Sequence, residues 1–269
     1  MTRVGILYHP QNERATTLAQ RLQEELAGKG IASWRSSAWD DPTARPQIPG
    51  SDFVFSIGGD GTILHAARII TPLAVPIVGV NVGKLGFISE MSADDVLDRL
   101  PELLGQQAWI EERAMLCARM GDSEFTALND IAVRNIAVRV LNIETSVDDE
   151  YLTTYRADGL VVATATGSTG YALAAGGPVL HPQSADFLLQ PVSAHLSLNR
   201  AIVLPGKAVV RLIVKGRDTA ALSVDGQLES PLASGQSVIV RVSPHTARFL
   251  RTRQDTYFYA TLGSKLRGN

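Results

Sequence analysis

Cysteine is nearly absent: Cys117 is the one cysteine among 269 residues. No internal disulfide can form, and such usage fits a reducing compartment. Basic clusters are missing too. The densest basic spot, Arg251-Thr252-Arg253, reads as a solvated strand end, and the net charge is −2. A surface that tracks nucleic-acid phosphates is therefore not expected. The longest apolar run, near residues 72–80, is short and carries Pro76, so no membrane span is expected. Histidine and cysteine do not recur at metal-ligand spacing, which argues against zinc. Neither a Gly-x-Ser-x-Gly elbow nor a Gly-x-x-x-x-Gly-Lys-Ser/Thr loop occurs, which argues against a serine hydrolase and a P-loop enzyme. Met1-Thr2-Arg3 runs straight into the strand-like Val4-Gly5-Ile6-Leu7-Tyr8, leaving no room for a leader, so the expected location is the cytoplasm. The 45% hydrophobic and 19% charged content is that of a globular enzyme of two modest domains or one large one.

What is present begins with Ser56-Ile57-Gly58-Gly59-Asp60-Gly61-Thr62, directly after the apolar run Phe53-Val54-Phe55. A buried strand stops, glycines bend the backbone, and a helical pattern follows with Thr62 as its expected cap. Such a turn lets a phosphate chain approach bare backbone N–H groups at a helix N-terminus. Asp60 places an acid beside that site, which points to phosphoryl transfer with a general base. Asp-Gly alone is an ordinary hairpin signal, but the helical pattern of residues 62–70 argues against a hairpin here.

Around this motif the first hundred residues alternate strand and helix. Strands are expected over 4–8, 53–57 and 76–80. Helices are expected over 13–29, with Leu18, Leu22 and Leu26 on one face and Gly30 as the stop, over 62–70, and over 94–104, started by Ser92. Residues 36–50, with three prolines, read as a loop. This alternation implies a parallel sheet with helices on its faces. From residue 108 onward short β-rich runs dominate: 115–120, 124–128, 131–133, 137–143, 160–163, 201–204, 209–214, 220–224, 237–242 and 247–250. A boundary is expected near residue 105, followed by a β-sandwich. Phe258, Leu262 and Leu266 then form one helical stripe, capped by Asp255 or Thr256, with Lys265 and Arg267 near its end.

Several later motifs are ambiguous taken singly. Asn81-Val82-Gly83-Lys84-Leu85-Gly86-Phe87 follows a strand, and two glycine-rich loops of one parallel sheet line up at its carboxyl edge, where ligands bind. Asn129-Asp130 and Asp225-Gly226-Gln227 read as turns, the latter as a hairpin tip. Thr164-Ala165-Thr166-Gly167-Ser168-Thr169-Gly170-Tyr171 is dense in neutral hydrogen-bonding groups suited to ribose and base edges. His195 stands alone between Pro191 and Arg200 and reads as structural.

Taken together, these motifs resemble the NAD kinase family, in order and rough spacing across nearly the whole chain. The resemblance runs through Gly58-Gly59-Asp60-Gly61-Thr62, Gly83-Lys84-Leu85-Gly86-Phe87, Asn129-Asp130, Asp158-Gly159, Thr166-Gly167-Ser168-Thr169, residues 195–200, Asp225-Gly226-Gln227 and Thr261-Leu262-Gly263-Ser264-Lys265-Leu266. The first motif alone also resembles diacylglycerol- and sphingosine-type lipid kinases. The Thr-Gly-Ser-Thr block singles out NAD kinases. Three positions depart from the family pattern: Ala165 stands where proline is usual, Gly170 where alanine is, and Asp130 where glutamate is common.

The resemblance implies an α/β plus all-β protein: a Rossmann-like α/β domain over 1–105, a β-sandwich over 106–250, and a C-terminal segment, 251–269, that returns to the first domain, with the site in the cleft. It implies a homodimer or homotetramer that moves the terminal phosphate of ATP, or of polyphosphate, to the 2′-hydroxyl of the adenosine ribose of NAD, making NADP. Asp60 is the implied base. Gly58, Gly59, Gly61 and Thr62 would face the triphosphate, with His65 at an often basic position and Phe87 nearby. Asn129 and Asp130 would hold the adenosine of NAD. Arg156, Asp158, Thr166, Ser168, Thr169, Gly170, Tyr171, Ala172, Leu173, Ala174 and His195 would line the dinucleotide site, joined by Gln227, from a neighbouring subunit in one arrangement. Mg²⁺ would be held mostly by the phosphates, with no dedicated protein cluster. The competing readings are a lipid kinase on the same frame and a non-catalytic NAD-binding regulator.

Overall fold

The computed structural model describes residues 2–83, 86–105, 108–136, 140–195, 198–216, 219–253 and 257–266. The chain divides into two compact units, residues 1–112 with 246–269, and residues 113–245.

In the first unit, β1 (Arg3–Tyr8), β2 (Ala32–Ser37), β3 (Phe53–Gly58) and β4 (Ile77–Asn81) form a parallel sheet in the order β2-β1-β3-β4, with the short β5 (Met91–Ser92) beside β4. Helix α1 (Glu13–Gly28) starts at Asn12, whose side chain accepts the Ala15 N–H, and stops before Gly30 at φ +71°. It buries Leu18, Leu22 and Leu26 against the Val4, Ile6, Phe53 and Phe55 side of the sheet. Apolar residues at four-residue spacing make one stripe of a 3.6-residue helix, so the pattern and the packing have one cause. Helix α2 (Asp41–Ala44) lies in the stretch read as a loop, and β2 overlaps its start. Helix α3 spans Asp60–Ile70 with Gly59 at its cap, so Thr62 lies inside the first turn rather than at the cap. The helix expected over 94–104 is regular only as α4 (Leu100–Leu104), after a run of turns.

The second unit is built of antiparallel strands. Its elements are β6 (Trp109–Met120, entering from the first unit), β7 (Ser123–Ala127), β8 (Asp130–Asn135), β9 (Leu141–Val147), β10 (Glu150–Ala157), β11 (Gly159–Ala163), the single-turn α5 (Tyr171–Ala174), β12 (Phe187–Val192), β13 (Ile202–Leu204), β14 (Val209–Lys215), β15 (Ala220–Val224) and β16 (Leu228–Leu232). One sheet runs β13-β12-β11-β8-β15-β16, and β10-β9-β14 with β17 (Ser237–Arg251) belong to the other. Alternate residues of both sheets, among them Leu160, Val162, Val210, Leu212 and Val240, meet in one core, as in a sandwich. On the other face of the six-stranded sheet, Ala172 of α5 packs on Ala132, Val161, Ala163 and Leu188. The two runs expected over 237–250 are one strand, β17, which continues through Ser243-Pro244-His245 and pairs in the first unit with β4 through Phe249 and Ile77. The last helix is α6 (Tyr257–Leu266), on which Phe258 and Leu262 are half-buried. The caps expected at Asp255 or Thr256, the cation at Arg267 and the Lys265 and Leu266 side chains lie outside the described residues, as do Lys84, Leu85 and 137–139.

Candidate active site

At the carboxyl edge of the parallel sheet, the Asp60 carboxylate is held by groups far away in sequence. The Phe87 N–H donates to its Oδ2 at 2.9 Å and the Ser89 hydroxyl to its Oδ1 at 2.9 Å. Ser89 in turn accepts from Asn81 Nδ2 at 3.2 Å, and Asn81 Oδ1 accepts the Gly83 N–H at 2.7 Å. The chain that links the two glycine loops is therefore polar and continuous. A Cβ on Gly86 would overlap all three atoms of the Asp60 carboxyl group, and one on Gly58 would overlap Thr62. Gly59 faces open space. Asn12, Gly59, Asp60, Asn81, Val82, Gly83 and Gly86 line a cleft of about 450 Å³. Asp60 is the one carboxylate among these lining residues. The sequence motifs contain Asp60, the glycines and Asn81; Ser89 and Asn12 lie outside them.

The 86–90 loop that holds Asp60 is anchored from behind. Arg251 reaches the Ile88 carbonyl at 2.9 Å, Glu90 at 3.2 Å and Glu111 at 2.7 Å. It is 7% exposed, so the solvated strand end expected at 251–253 is instead a buried ion-pair centre. A charge this deep needs partners, and two acids from distant segments supply them.

Another constellation lies on the second unit. The Asn129-Asp130 turn is clamped from two sides. The Asp225 carboxylate accepts the N–H groups of Leu128 at 3.0 Å, Asn129 at 2.7 Å and Asp130 at 3.1 Å. Opposite, the Thr164 hydroxyl donates to the Leu128 carbonyl at 2.6 Å and accepts the Gly167 N–H at 3.0 Å. A Cβ on Gly167 would overlap the Asn129 carbonyl, which is why the hydroxyl-rich loop closes so tightly on the turn. Asp130 is buried, and burial first, then the Asp225 charge, pushes its carboxyl up to about 7. Asn129 Oδ1 is buried and makes no hydrogen bond in the structure. Asn129, Asp130, Arg134, Tyr171, Ser223 and Gly226 are among the residues lining a cleft of about 430 Å³.

The structure thus brings together Asn129, Asp130 and the half-exposed Tyr171. Ser168 and Thr169 donate their hydroxyls to the Ala165 and Thr166 carbonyls, and Ser168 also accepts the Leu180 N–H at 2.9 Å. Thr166 is buried within 3.5 Å of Arg113. Gly170 caps α5, which carries Ala172, Leu173 and Ala174. Arg156, Asp158 and His195 are exposed; the His195 N–H donates to the Arg156 carbonyl at 2.7 Å and the Asp158 N–H to the Val192 carbonyl at 3.0 Å. Gln227 closes the turn between β15 and β16, its N–H bonded to the Val224 carbonyl at 2.9 Å. In that turn Asp225 and Gly226 have φ +52° and +65°, the left-handed values of a tight hairpin.

Residues 11–108 match the model of the ATP-NAD kinase N-terminal domain, and residues 129–252 that of the ATP-NAD kinase C-terminal domain. The chain belongs to the NAD kinase family. A NAD kinase of Dehalococcoides mccartyi (strain BAV1) is 41% identical over 99% of this chain and 96% of its own length. One of Chloroflexus aurantiacus (strain J-10-fl) is 36% identical over 99% of both. Among solved structures, an NAD kinase from Archaeoglobus fulgidus in complex with ATP superposes with a TM-score of 0.81 at 25% identity, over 99% of each chain. A yeast NADH kinase complexed with NADH shares the fold, with a TM-score of 0.84 at 23% identity over 100% of this chain and 88% of that one. The family match extends well past the Gly-Gly-Asp-Gly turn, the feature shared with lipid kinases, and supports neither the lipid-kinase nor the regulator alternative.

Proposed function

We propose that the chain is a phosphotransferase that moves the terminal phosphate of ATP to the 2′-hydroxyl of the adenosine ribose of NAD, giving NADP and ADP. The observation that carries this reading is the Asp60 carboxylate, oriented by Phe87 and Ser89 at a glycine-built strand-to-helix turn. A ribose hydroxyl is a weak nucleophile near neutral pH. Asp60 takes its proton as O2′ bonds to the γ-phosphorus and the bond to the β–γ bridging oxygen breaks. A positioned base of this kind contributes roughly 10²–10⁴-fold. Gly59 and Gly61, with the first N–H groups of α3, receive the phosphates, while Gly58 lets the Thr62 side chain pack close beneath the turn. Mg²⁺ enters with the donor and would offset the phosphate charge; the single carboxylate lining the cleft suits a cation held mainly through phosphate oxygens. Asn129, Asp130 and Tyr171 hold the adenosine portion of NAD, with Arg156, Asp158, His195 and Gln227 assigned to the same substrate. The proposal includes polyphosphate as a second donor, a homodimer or homotetramer, and a place in the cytoplasm.

The test is NADP formation by the purified protein with NAD, ATP and Mg²⁺, with Asp60→Asn beside it. The expected result is NADP from the parent, at least ~10²-fold less from Asp60→Asn, and similar NAD affinity in both. No NADP from the parent overturns the assigned reaction; turnover of the variant within a few-fold of the parent overturns the role of Asp60.

A further inference from the structure

Three rings meet at the carboxyl edge of the first unit's sheet, outside the cleft that holds Asp60. Trp39 lies between His9, at a centroid distance of 4.5 Å and a tilt of 55°, and His65, at 4.3 Å and 42°. Each comes from a different segment: His9 directly follows β1, Trp39 follows β2, and His65 is on α3, which follows β3. The segments are tied at the backbone, His9 N–H to the Ile57 carbonyl at 3.0 Å and Ala38 N–H to the Tyr8 carbonyl at 2.9 Å. Such a cluster usually fills a core. This one does not: Trp39 is 43% exposed, whereas Trp34 of the same β2 segment is 5% exposed. The exposed part of an indole held in place by two neighbours gives a flat ligand a fixed apolar surface to pack on.

We propose that Trp39, supported by His9 and His65, is the stacking shelf for the purine base of the phosphate donor, so that this chain reads the nucleoside of ATP and not its phosphates alone. The inference rests on the kinase reading for what the donor is, and on the geometry for where its base lies. In the order β2-β1-β3-β4 the chain reverses direction between β1 and β3, and ligands of open parallel sheets sit outside the carboxyl ends at that reversal. His9 and α3 flank it. Asn12, which lines the Asp60 cleft, donates its N–H to the His9 carbonyl at 3.3 Å, so cleft and shelf adjoin through one short loop. From Asp60 to His65 the rise along α3 is about 7.5 Å, within reach of a ribose triphosphate.

The chemistry of His65 suits a base. Arg68 contacts its Nδ1 at 2.7 Å, and a guanidinium only donates, so Nδ1 accepts and the ring proton sits on Nε2. Burial, then the Arg68 charge, lowers the His65 pKa to about 4, which keeps the ring neutral at physiological pH. It therefore supports the indole as a neutral ring and carries an Nε2–H donor suited to a purine ring nitrogen.

The test needs no turnover. Calorimetric titrations of the parent, Trp39→Leu and Trp39→Phe with ATP and with inorganic tripolyphosphate separate base from phosphate recognition. Base stacking of ordinary strength makes ATP bind about tenfold tighter than tripolyphosphate to the parent. Trp39→Leu should lose that advantage with tripolyphosphate affinity unchanged, and Trp39→Phe should keep most of it. Equal binding of the two ligands by the parent overturns the proposal, as does an ATP advantage that survives in Trp39→Leu. Should Trp39→Leu fail to fold, Trp39→Gln takes its place and should show the same loss. A parent that makes no NADP yet shows the Trp39-dependent preference would remove the kinase reading and leave the shelf.

Discussion

Replacing Arg251 with methionine tests how far the first unit depends on one buried cation. The guanidinium serves Glu111, Glu90 and the Ile88 carbonyl at 2.7–3.2 Å. Glu90 and Glu111 are 4% and 6% exposed. Methionine keeps much of the volume and removes the charge, so two buried carboxylates lose their shared counter-ion. Arg99 lies 3.9 Å from Glu90 and is too distant to replace those bonds. Glu90 retains the N–H groups of Thr252 at 3.1 Å and Arg253 at 3.3 Å, which soften the loss at that acid. Breaking a buried pair by removing one partner costs about 3–5 kcal/mol, against about 0–1 kcal/mol for an exposed pair such as Arg14–Asp94. Domains of this kind are stable by about 5–15 kcal/mol, so the variant should lose a large share. Urea unfolding followed by circular dichroism, with Arg14→Ala as the exposed control, measures the difference. Because the Ile88 carbonyl neighbours Ser89, turnover should fall while NAD affinity holds. A loss below about 1 kcal/mol, equal to the control, would refute the view that this cluster is buried and paired.

What the sequence revealed and what it hid divide along one line: how local the cause is. Helix α1 is legible because Leu18, Leu22, Leu26 and Gly30 state its face and stop within one segment, whereas its Asn12 cap is not read from the sequence. The Gly58-Gly59-Asp60-Gly61 turn is legible because glycine marks a close approach wherever it occurs. By contrast β2 reads Ala-Ser-Trp-Arg-Ser-Ser and pairs only with β1 in the parallel sheet, so as an edge strand it needs no apolar run. Strand β16 carries Pro231, which suits the edge position it holds and disguises it as a loop. Asp225 is correctly a hairpin tip, yet its carboxylate closes a turn 95–97 residues earlier in the chain. Arg251 looked exposed because its acids lie 140 and 161 residues away. No window of sequence contains such pairings; they follow from the fold.

Two further variants probe the clamp around Asn129-Asp130. Thr164→Val keeps the shape and removes the hydroxyl, leaving the Leu128 carbonyl and the Gly167 N–H without that partner at a cost of about 1–3 kcal/mol. Urea unfolding should show this loss and calorimetry a weaker NAD affinity; an unchanged midpoint would mean that the hydroxyl does not tie the two loops together. Asp130→Asn tests the charge crowding behind the turn. The Asp130 carboxyl is raised from 3.8 to about 7 by burial and by Asp225, while in the unfolded chain it ionises near its ordinary value of about 3.9. Between those values the folded state holds a proton that the unfolded state has released. The unfolded state therefore binds fewer protons, and this group's contribution to stability falls as pH rises from about 4 to 7, by roughly 4 kcal/mol in all. Asparagine has no such proton to lose. The unfolding free energy of the parent minus that of the variant should thus decline across this window and level off above pH 7. Parallel curves for the two proteins would show that Asp130 ionises as freely folded as unfolded, and that Asp225 does not crowd it.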